Sequence, residues 1–351
     1  MRLDRPERYA DVDTADALGD VEGTPDQWQE AAAVPVPRLD LSAFDAVLVA
    51  GMGGSGIAGD VAAALAAPLA ELPVVVHKGY GAPAFAGPRT LVVALSYSGN
   101  TEETLSTVAE AADRGAQVVA LTSGGELARR SDAAGWPRYG MPPGRQPRHS
   151  LGYLAVPLLR LLGLDEDLDE VVAVQRELLL ACGRTVPVED NPAKQLGLRI
   201  ASGSFLLAYG AGPLAAVAAY RLRCQVNENA KAPGAAAVLP ELNHNEVVGF
   251  AFPSALSGHC GLVLLRDPEG EHPRMAVRVG VTEEVLAPQL AWSVEVAARG
   301  RSPLARLASL LLVADLASVY AAIELGRDPT PIGPIDRVKA ALATAGGRPA
   351  P

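Results

Sequence analysis

The sequence predicts an α/β fold built from two doubly wound parallel-sheet domains, and three observations carry that prediction. Two apolar, β-branched runs, Ala46–Ala50 and Leu91–Leu95, each end in a small hydroxyl-bearing turn and then open into a helical pattern. From Phe44 to about Leu164 strand-like and helix-like segments alternate, which makes a parallel sheet with helices on both faces. Further on, Phe205–Tyr209, Gly210–Pro213 and Leu214–Tyr220 repeat the strand, glycine turn and helix of residues 46–66.

Residues 1–40 are polar and proline-bearing, which suggests a short helix followed by an arm. The first domain, 41–165, has expected strands at 46–50, 73–77, 91–96 and 116–122, with a shorter one near Tyr139. Its expected helices are 56–68, 101–114 and 124–134, with Ser and Thr fitting the caps and Gly115 closing the second. Linking helices fill 166–200: one from Glu166 to Cys182, acidic at its start, and one after the break at Pro187–Pro192. The second domain, 201–351, continues with expected strands at 262–265, 276–281 and 292–296 and ends in C-terminal helices. The stretch Pro303–Leu325 is apolar on most sides and must be buried, in part against another subunit.

A chain of 351 residues can hold two such domains, each with its own core. With 49% hydrophobic and 20% charged residues it is globular rather than disordered. The net charge of −10 argues against nucleic acid as a partner. Cys182, Cys224 and Cys260 are widely spaced without a Cys-x-x-Cys pair, the pattern of buried free thiols in a reducing compartment. The histidines lack metal-ligand spacing, and His259 and Cys260, adjacent on a strand, point to opposite faces; no metal site is expected. Met1–Arg8 has no apolar signal core. Ile200–Tyr220 is uncharged and long enough to span a bilayer, but Gly203, Gly210, Gly212 and Pro213 split it into strand, turn and helix. A cytoplasmic protein without a membrane partner is the expectation.

The two turns, Gly51–Asp60 and Ser96–Thr104, lie at the C-terminal ends of their strands, where open α/β sheets bind ligands. Backbone N–H groups and a helix N-terminus favour an anion there, and Ser and Thr hydroxyls add donors. Neither turn holds a lysine, and the Gly-Lys-[Ser/Thr] ending of a nucleotide P-loop is missing, so a sugar phosphate suits this cradle better than a triphosphate. Gly51-x-Gly53-x-x-Gly56 also matches the dinucleotide fingerprint, but the second strand ends in His77-Lys78-Gly79, and Glu71, at the right count, precedes it. A glycine turn that only packs a helix on a strand would explain either loop alone.

Three later segments carry polar residues that a core would not choose. Glu228 and Lys231 stand three apart at the end of the helix after Pro213, where a solvated ion pair is the plain explanation. His244 lies in Asn243–Glu246, and Arg148 in the proline-rich loop Pro142–Ser150; either could be an ordinary loop residue.

Gly51–Asp60 and Ser96–Thr104 resemble the two signature loops of the sugar isomerase (SIS) fold. Asn227–Lys231, Asn243–Glu246 and Pro334–Lys339 resemble the bifunctional phosphoglucose/phosphomannose isomerase family, and the likeness runs from about residue 40 to 345. It implies two SIS-type domains, each a flavodoxin-like three-layer αβα sandwich. It implies that Gly54, Ser55, Ser96, Ser98 and Thr101 hold the phosphate of a sugar phosphate. Glu228 would move the proton between C1 and C2, Arg148 would stabilise the enediolate, and His244 and Lys339 would assist ring opening. It further implies a homodimer in which the histidine comes from the neighbouring subunit, and no cofactor. The chain departs from the family at Gly79–Pro83, where relatives often carry Asp-Tyr-x-x-Pro.

The chemistry agrees: one carboxylate can shuttle the proton without metal if a cation offsets the charge developing on the oxygens. The competing expectation is a sugar-phosphate sensor that kept the fold and lost the chemistry, which would predict damage at Glu228, His244 or Lys339; all three are present. An amidotransferase-type synthase would need an N-terminal cysteine nucleophile, and Met1-Arg-Leu offers none.

Overall fold

The computed structural model describes residues 1–36, 39–69, 72–252 and 254–344; Glu71 and the end of the expected second domain, 345–351, lie outside the described residues. Nine strands appear among them: β1 (Ala46–Ala50), β2 (Val74–His77), β3 (Thr90–Leu95), β4 (Gln117–Thr122), β5 (Arg138–Gly140), β6 (Phe205–Ala211), β7 (Gly234–Leu239), β8 (Cys260–Arg266) and β9 (Trp292–Ala297). The helices are α1 (Ala17–Glu22), α2 (Thr24–Ala33), α3 (Gly53–Ala66), α4 (Glu102–Asp113), α5 (Gly125–Ala134), α6 (Leu151–Leu162), α7 (Leu168–Cys182), α8 (Pro192–Ala201), α9 (Gly212–Gln225), α10 (Glu246–Phe250), α11 (Arg274–Leu286), α12 (Pro303–Leu325) and α13 (Gly333–Thr344). They divide into two compact units, one comprising 30–166 with the chain from Thr330 onward, the other 1–29 and 167–329. The linking helices thus belong to the unit of the second sheet, and the C-terminal helix to that of the first.

In the first unit the strand order is β2-β1-β3-β4-β5, all parallel. The central strands β1 and β3 are buried on both faces, which is why they read as continuous Val, Leu and Ala runs without alternation. The order reverses between β1 and β3, so the loops after these two strands lie side by side at the switch point, the place where such sheets bind ligands.

In the second unit the order β7-β6-β8-β9, again all parallel, reproduces the first four positions of the other sheet. Leu207, Tyr209, Leu262 and Leu264 pack on Met275, Val279 and Leu286 of α11. That helix overturns the expected strand at 276–281. Ala276, Val277, Val279 and Val281 alternate in part like a strand, but the buried set Met275, Val279, Thr282 and Leu286 follows helical spacing. The sequence reading has no strand at 234–239; Ala-rich β7 exists because it pairs along the length of β6.

The N-terminal segment is no arm. After two short 3₁₀ turns, α1 and the start of α2 follow, and Leu3, Tyr9, Leu18 and Val21 join one core with Leu178, Leu312, Leu316, Val319 and Tyr320. Lys194, buried on α8, fastens this segment: its Nζ donates to the carbonyls of Leu3 (3.0 Å), Arg184 (2.8 Å) and Val186 (2.7 Å), and burial lowers its pKa. Helix α12 is long and apolar enough to cross a membrane, with mean hydropathy 1.7, yet 89% of that stretch is buried within the protein. It packs on α7, α8 and α9. Its apolar surface, which suggested a subunit contact, is covered by its own unit.

Candidate active site

The two hydroxyl-bearing turns meet at the switch point of the first sheet. Leaving β1, the chain turns at Gly53, whose φ of 54° is left-handed, and enters α3. Gly54 sits against the loop before α6: a Cβ there would lie 2.6 Å from the Pro147 carbonyl oxygen and 3.2 Å from the Arg148 nitrogen. Any side chain would push that loop away, so the glycine is what lets Arg148 approach the first turn. Ser55 is buried, and its Oγ accepts from the Tyr97 N–H at 3.3 Å, tying the first turn to the second.

In the second turn Ser96 Oγ lies 2.9 Å from Thr101 Oγ1 and accepts from the Gly99 N–H at 3.1 Å. Ser98 is exposed, and its Oγ accepts from the Asn100 N–H at 3.3 Å. Gly99 has φ 69° and packs so closely on Gly124 that no Cβ fits. Thr101 stands at the N-cap position of α4 without a side-chain bond to the helix, its hydroxyl meeting Ser96 instead, so the helix N-terminus lies at one end of the turn. The Tyr97 hydroxyl donates to the Pro142 carbonyl (2.6 Å) and accepts from the Arg145 N–H (3.1 Å), which fixes the proline loop to the same turn. Arg148 itself is buried. Its Nη1 donates to Gln146 Oε1 (3.1 Å) and its Nη2 to the Thr330 carbonyl (2.8 Å), just before α13.

The structure therefore brings Gly54, Ser55, Ser96, Ser98, Thr101 and Arg148 to one corner of the first unit. Lys339 is in that unit too, on α13, whose described residues are all exposed. Glu228 and His244 belong to the other unit.

Glu228 lies on a π-helical turn, 226–230, that extends α9. Such turns widen the helix and are frequent at functional positions. Both ends of this one are fastened. Lys231, with φ 53°, donates from Nζ to the Glu228 carbonyl (2.5 Å) and the Pro329 carbonyl (3.0 Å), while Arg327 Nη1 donates to the carbonyls of Ala230 and Lys231, both at 2.9 Å. From α12, Ser318 Oγ accepts from Asn229 Nδ2 (2.9 Å). The buried Asp315 accepts from Arg221 Nε (2.7 Å) and Nη2 (2.6 Å) and from Gln225 Nε2 (2.8 Å). Burial raises the Asp315 pKa, with Arg221 and Gln225 opposing it. His244 ends a short 3₁₀ turn and is exposed. Its neighbour Glu246 accepts from the Tyr209 hydroxyl (2.7 Å), and burial with that bond raises the pKa of the phenol.

Sequence reasoning missed the Asp315–Arg221 and Ser318–Asn229 bonds, whose partners lie about 90 residues apart; a lone aspartate in an apolar helix was the available signal. It also missed Lys78. From the end of β2 its side chain lies over Gly56 of α3 and its ammonium pairs with Asp60, whose pKa burial raises. The divergent segment Gly79–Pro83 is held by α4: Gly81 N–H donates to Ser106 Oγ (3.1 Å) and Ala82 N–H to Glu110 Oε2 (2.7 Å). Among the described residues no cluster of three or more His, Cys, Asp or Glu side chains could hold a metal ion.

The chain matches two family models, a SIS domain at 41–135 and the bacterial phospho-glucose isomerase C-terminal SIS domain at 189–342. It is 38% identical over 307 residues to the bifunctional phosphoglucose/phosphomannose isomerase of Caldicellulosiruptor bescii, covering 86% of this chain and 90% of the relative. The protein of the same name from Aquifex aeolicus is 36% identical, covering 90% and 94%. Among solved structures, a glucose-6-phosphate isomerase like protein from Thermus thermophilus aligns with a TM-score of 0.63 at 21% identity, covering 95% of this chain and 99% of the other, a likeness of fold.

Proposed function

The chain belongs to the bifunctional phosphoglucose/phosphomannose isomerase family, and on that premise we propose that it interconverts fructose 6-phosphate with glucose 6-phosphate, mannose 6-phosphate or both through an enediol. The observation that carries the reading is the pair of tied, lysine-free hydroxyl turns at the β1/β3 switch point, joined there by Arg148. Gly54, Ser55, Ser96, Ser98 and Thr101 form the cradle for the phosphate, and its binding energy fixes the orientation of the sugar. Glu228 takes the proton from C2 of the open-chain aldose and returns it to C1. Arg148, a permanent cation whose backbone adjoins the cradle, offsets the charge on the enediolate oxygens. His244 and Lys339 open the ring, one accepting and one donating a proton. These roles rest on the family's sequence pattern and, for Glu228, on the fastening of its turn.

The protein works as a homodimer in this reading, with His244 acting in the neighbour's site. The exposure of Val248 (59%), Phe252 (70%) and Leu256 (67%), soon after His244 in the chain, supports that assembly.

A coupled assay of the purified protein with each aldose 6-phosphate, with and without chelator, tests the function. Turnover of at least one aldose, unaffected by chelator, is the expected result. Binding of sugar phosphate without turnover of either would replace the isomerase by a sensor.

A further inference from the structure

A cavity of about 240 Å³ lies in the second unit, between α7, α8, α12 and the edge strand β9. Leu178, Cys182, Leu196 and Val313 give it an apolar floor, and Arg199 and Arg299 line it as well. Neither guanidinium has a carboxylate or hydrogen-bond partner among the described residues. Both residues are exposed, while Arg184, Arg266, Arg301 and Arg306 of the same unit are each paired with an acid. Burial raises the pKa of the Cys182 thiol on that floor, with the Ala193 N–H and, least, the charge of Arg299 opposing it. The one acid in the lining, Glu295, is directed to Arg266 at 3.3 Å. Among the described residues β9 is an edge strand, with no strand partner on its outer side.

We propose that this cavity is a second anion site, distinct from the phosphate cradle, that takes a small phosphomonoester with a short carbon body. Two guanidinium groups match the charge and the paired oxygens of a phosphate dianion. The apolar floor suits a carbon skeleton, and the volume admits a three-carbon compound more readily than a nucleotide. Occupancy bears on the isomerase site through α12. Ser309 and Val313 of that helix line the cavity, and within two further turns Asp315 holds Arg221 and Gln225 of α9 while Ser318 holds Asn229 of the Glu228 turn. This last link alone rests on the role proposed for Glu228.

The test is isothermal titration of the full-length protein with glycerol 3-phosphate, which the isomerase reaction cannot consume. Wild type should bind two equivalents per chain. The Ser96→Ala/Thr101→Ala protein should keep one, and Arg199→Gln/Arg299→Gln should lose the other, each arginine removed weakening that site about ten- to a hundredfold. Arg199→Gln/Arg299→Gln should retain wild-type isomerase turnover without added anion, which also reports that it is folded. Undiminished binding by that variant overturns the second site, as does a single wild-type equivalent that disappears with the cradle variant. If the cradle variant alone leaves titration unchanged while the arginine variant loses one equivalent, the second site stands and the cradle assignment falls.

Discussion

Replacing Asp315 by Leu keeps the branched shape of the side chain and strips Arg221 of its counter-charge. Both groups are almost fully buried, and the carboxylate accepts from two guanidinium nitrogens and from Gln225. Removing one partner of a buried pair leaves an uncompensated charge and costs about 3–5 kcal/mol. Against a typical domain stability of about 5–15 kcal/mol that is a large fraction. Removing both partners removes the problem, so Arg221→Met with Asp315→Leu should recover most of the loss. Urea unfolding of the two single variants and the double variant, followed by circular dichroism, measures the cycle.

The same cycle separates stability from chemistry. If the pair also holds the register of α9 on α12, the recovered double variant should stay impaired in kcat by about tenfold or more, because a misplaced catalytic group is penalised steeply. Its KM should be close to wild type, since the phosphate cradle is untouched. A cost below about 1 kcal/mol for Asp315→Leu would refute the claim that the charge is desolvated. A stable double variant with full kcat would refute the claim that the pair positions the Glu228 turn.

Glu228→Gln should lower kcat by about 10²-fold or more while sugar-phosphate binding persists, as expected for removal of a general base; near-normal turnover would move that role to another carboxylate. Ser96→Ala with Thr101→Ala should raise KM strongly, each hydroxyl to a charged oxygen contributing about 1.5–3 kcal/mol, whereas Ser204→Ala, at the far end of β6 where its hydroxyl accepts from Trp292, should change little. Glu170 accepts from the N–H groups of Arg301 and Ser302, and the Arg301 bond above all takes its pKa from 4.5 to about 2. Its stabilisation is therefore present above pH 4.5 and lost as pH falls toward 2, so the stability gap to Glu170→Gln, about 1–2 kcal/mol after solvent screening, should close over that window; a gap unchanged at pH 2 would contradict it. Mixing Glu228→Gln with His244→Ala protein should restore activity if the two residues act from different subunits, and no recovery after verified subunit exchange would assign both to one chain.

What was legible in the sequence is what local chemistry encodes. The β1 and β3 runs, the turns after them and the echo at Gly210 were readable because burial on both faces, glycine conformations and helix starts each leave a short-range mark. The segment 276–281 misled because a helix rich in Ala and Val can alternate by accident, and only the partners of Met275 and Leu286 reveal its period. The Asp315–Arg221 pair and the covering of α12 were illegible for a different reason. Each is a property of segments far apart in the chain, and an apolar helix looks the same whether its own unit or another subunit covers it.

The repeated topology lets the two switch points be compared side chain by side chain. Both sheets place a glycine turn and a helix N-terminus beside the loop of the next strand but one. In the first unit that loop supplies Ser96, Ser98 and Thr101, neutral groups that can turn donors toward an anion. In the second it supplies Asp267 and Glu271. Glu271 accepts from Arg266 and from the Asp267 N–H, and its Cγ is 3.9 Å from where a Gly212 side chain would begin; Asp267 is buried against Arg306 at 2.6 Å. Both carboxylates are thus engaged by arginines, and their negative charge beside the turn disfavours an anion there. The backbone geometry that favours an anion is present in both halves, and the side chains of one loop set them apart: free-turning hydroxyls in the half proposed to hold phosphate, carboxylates paired with arginines in the other.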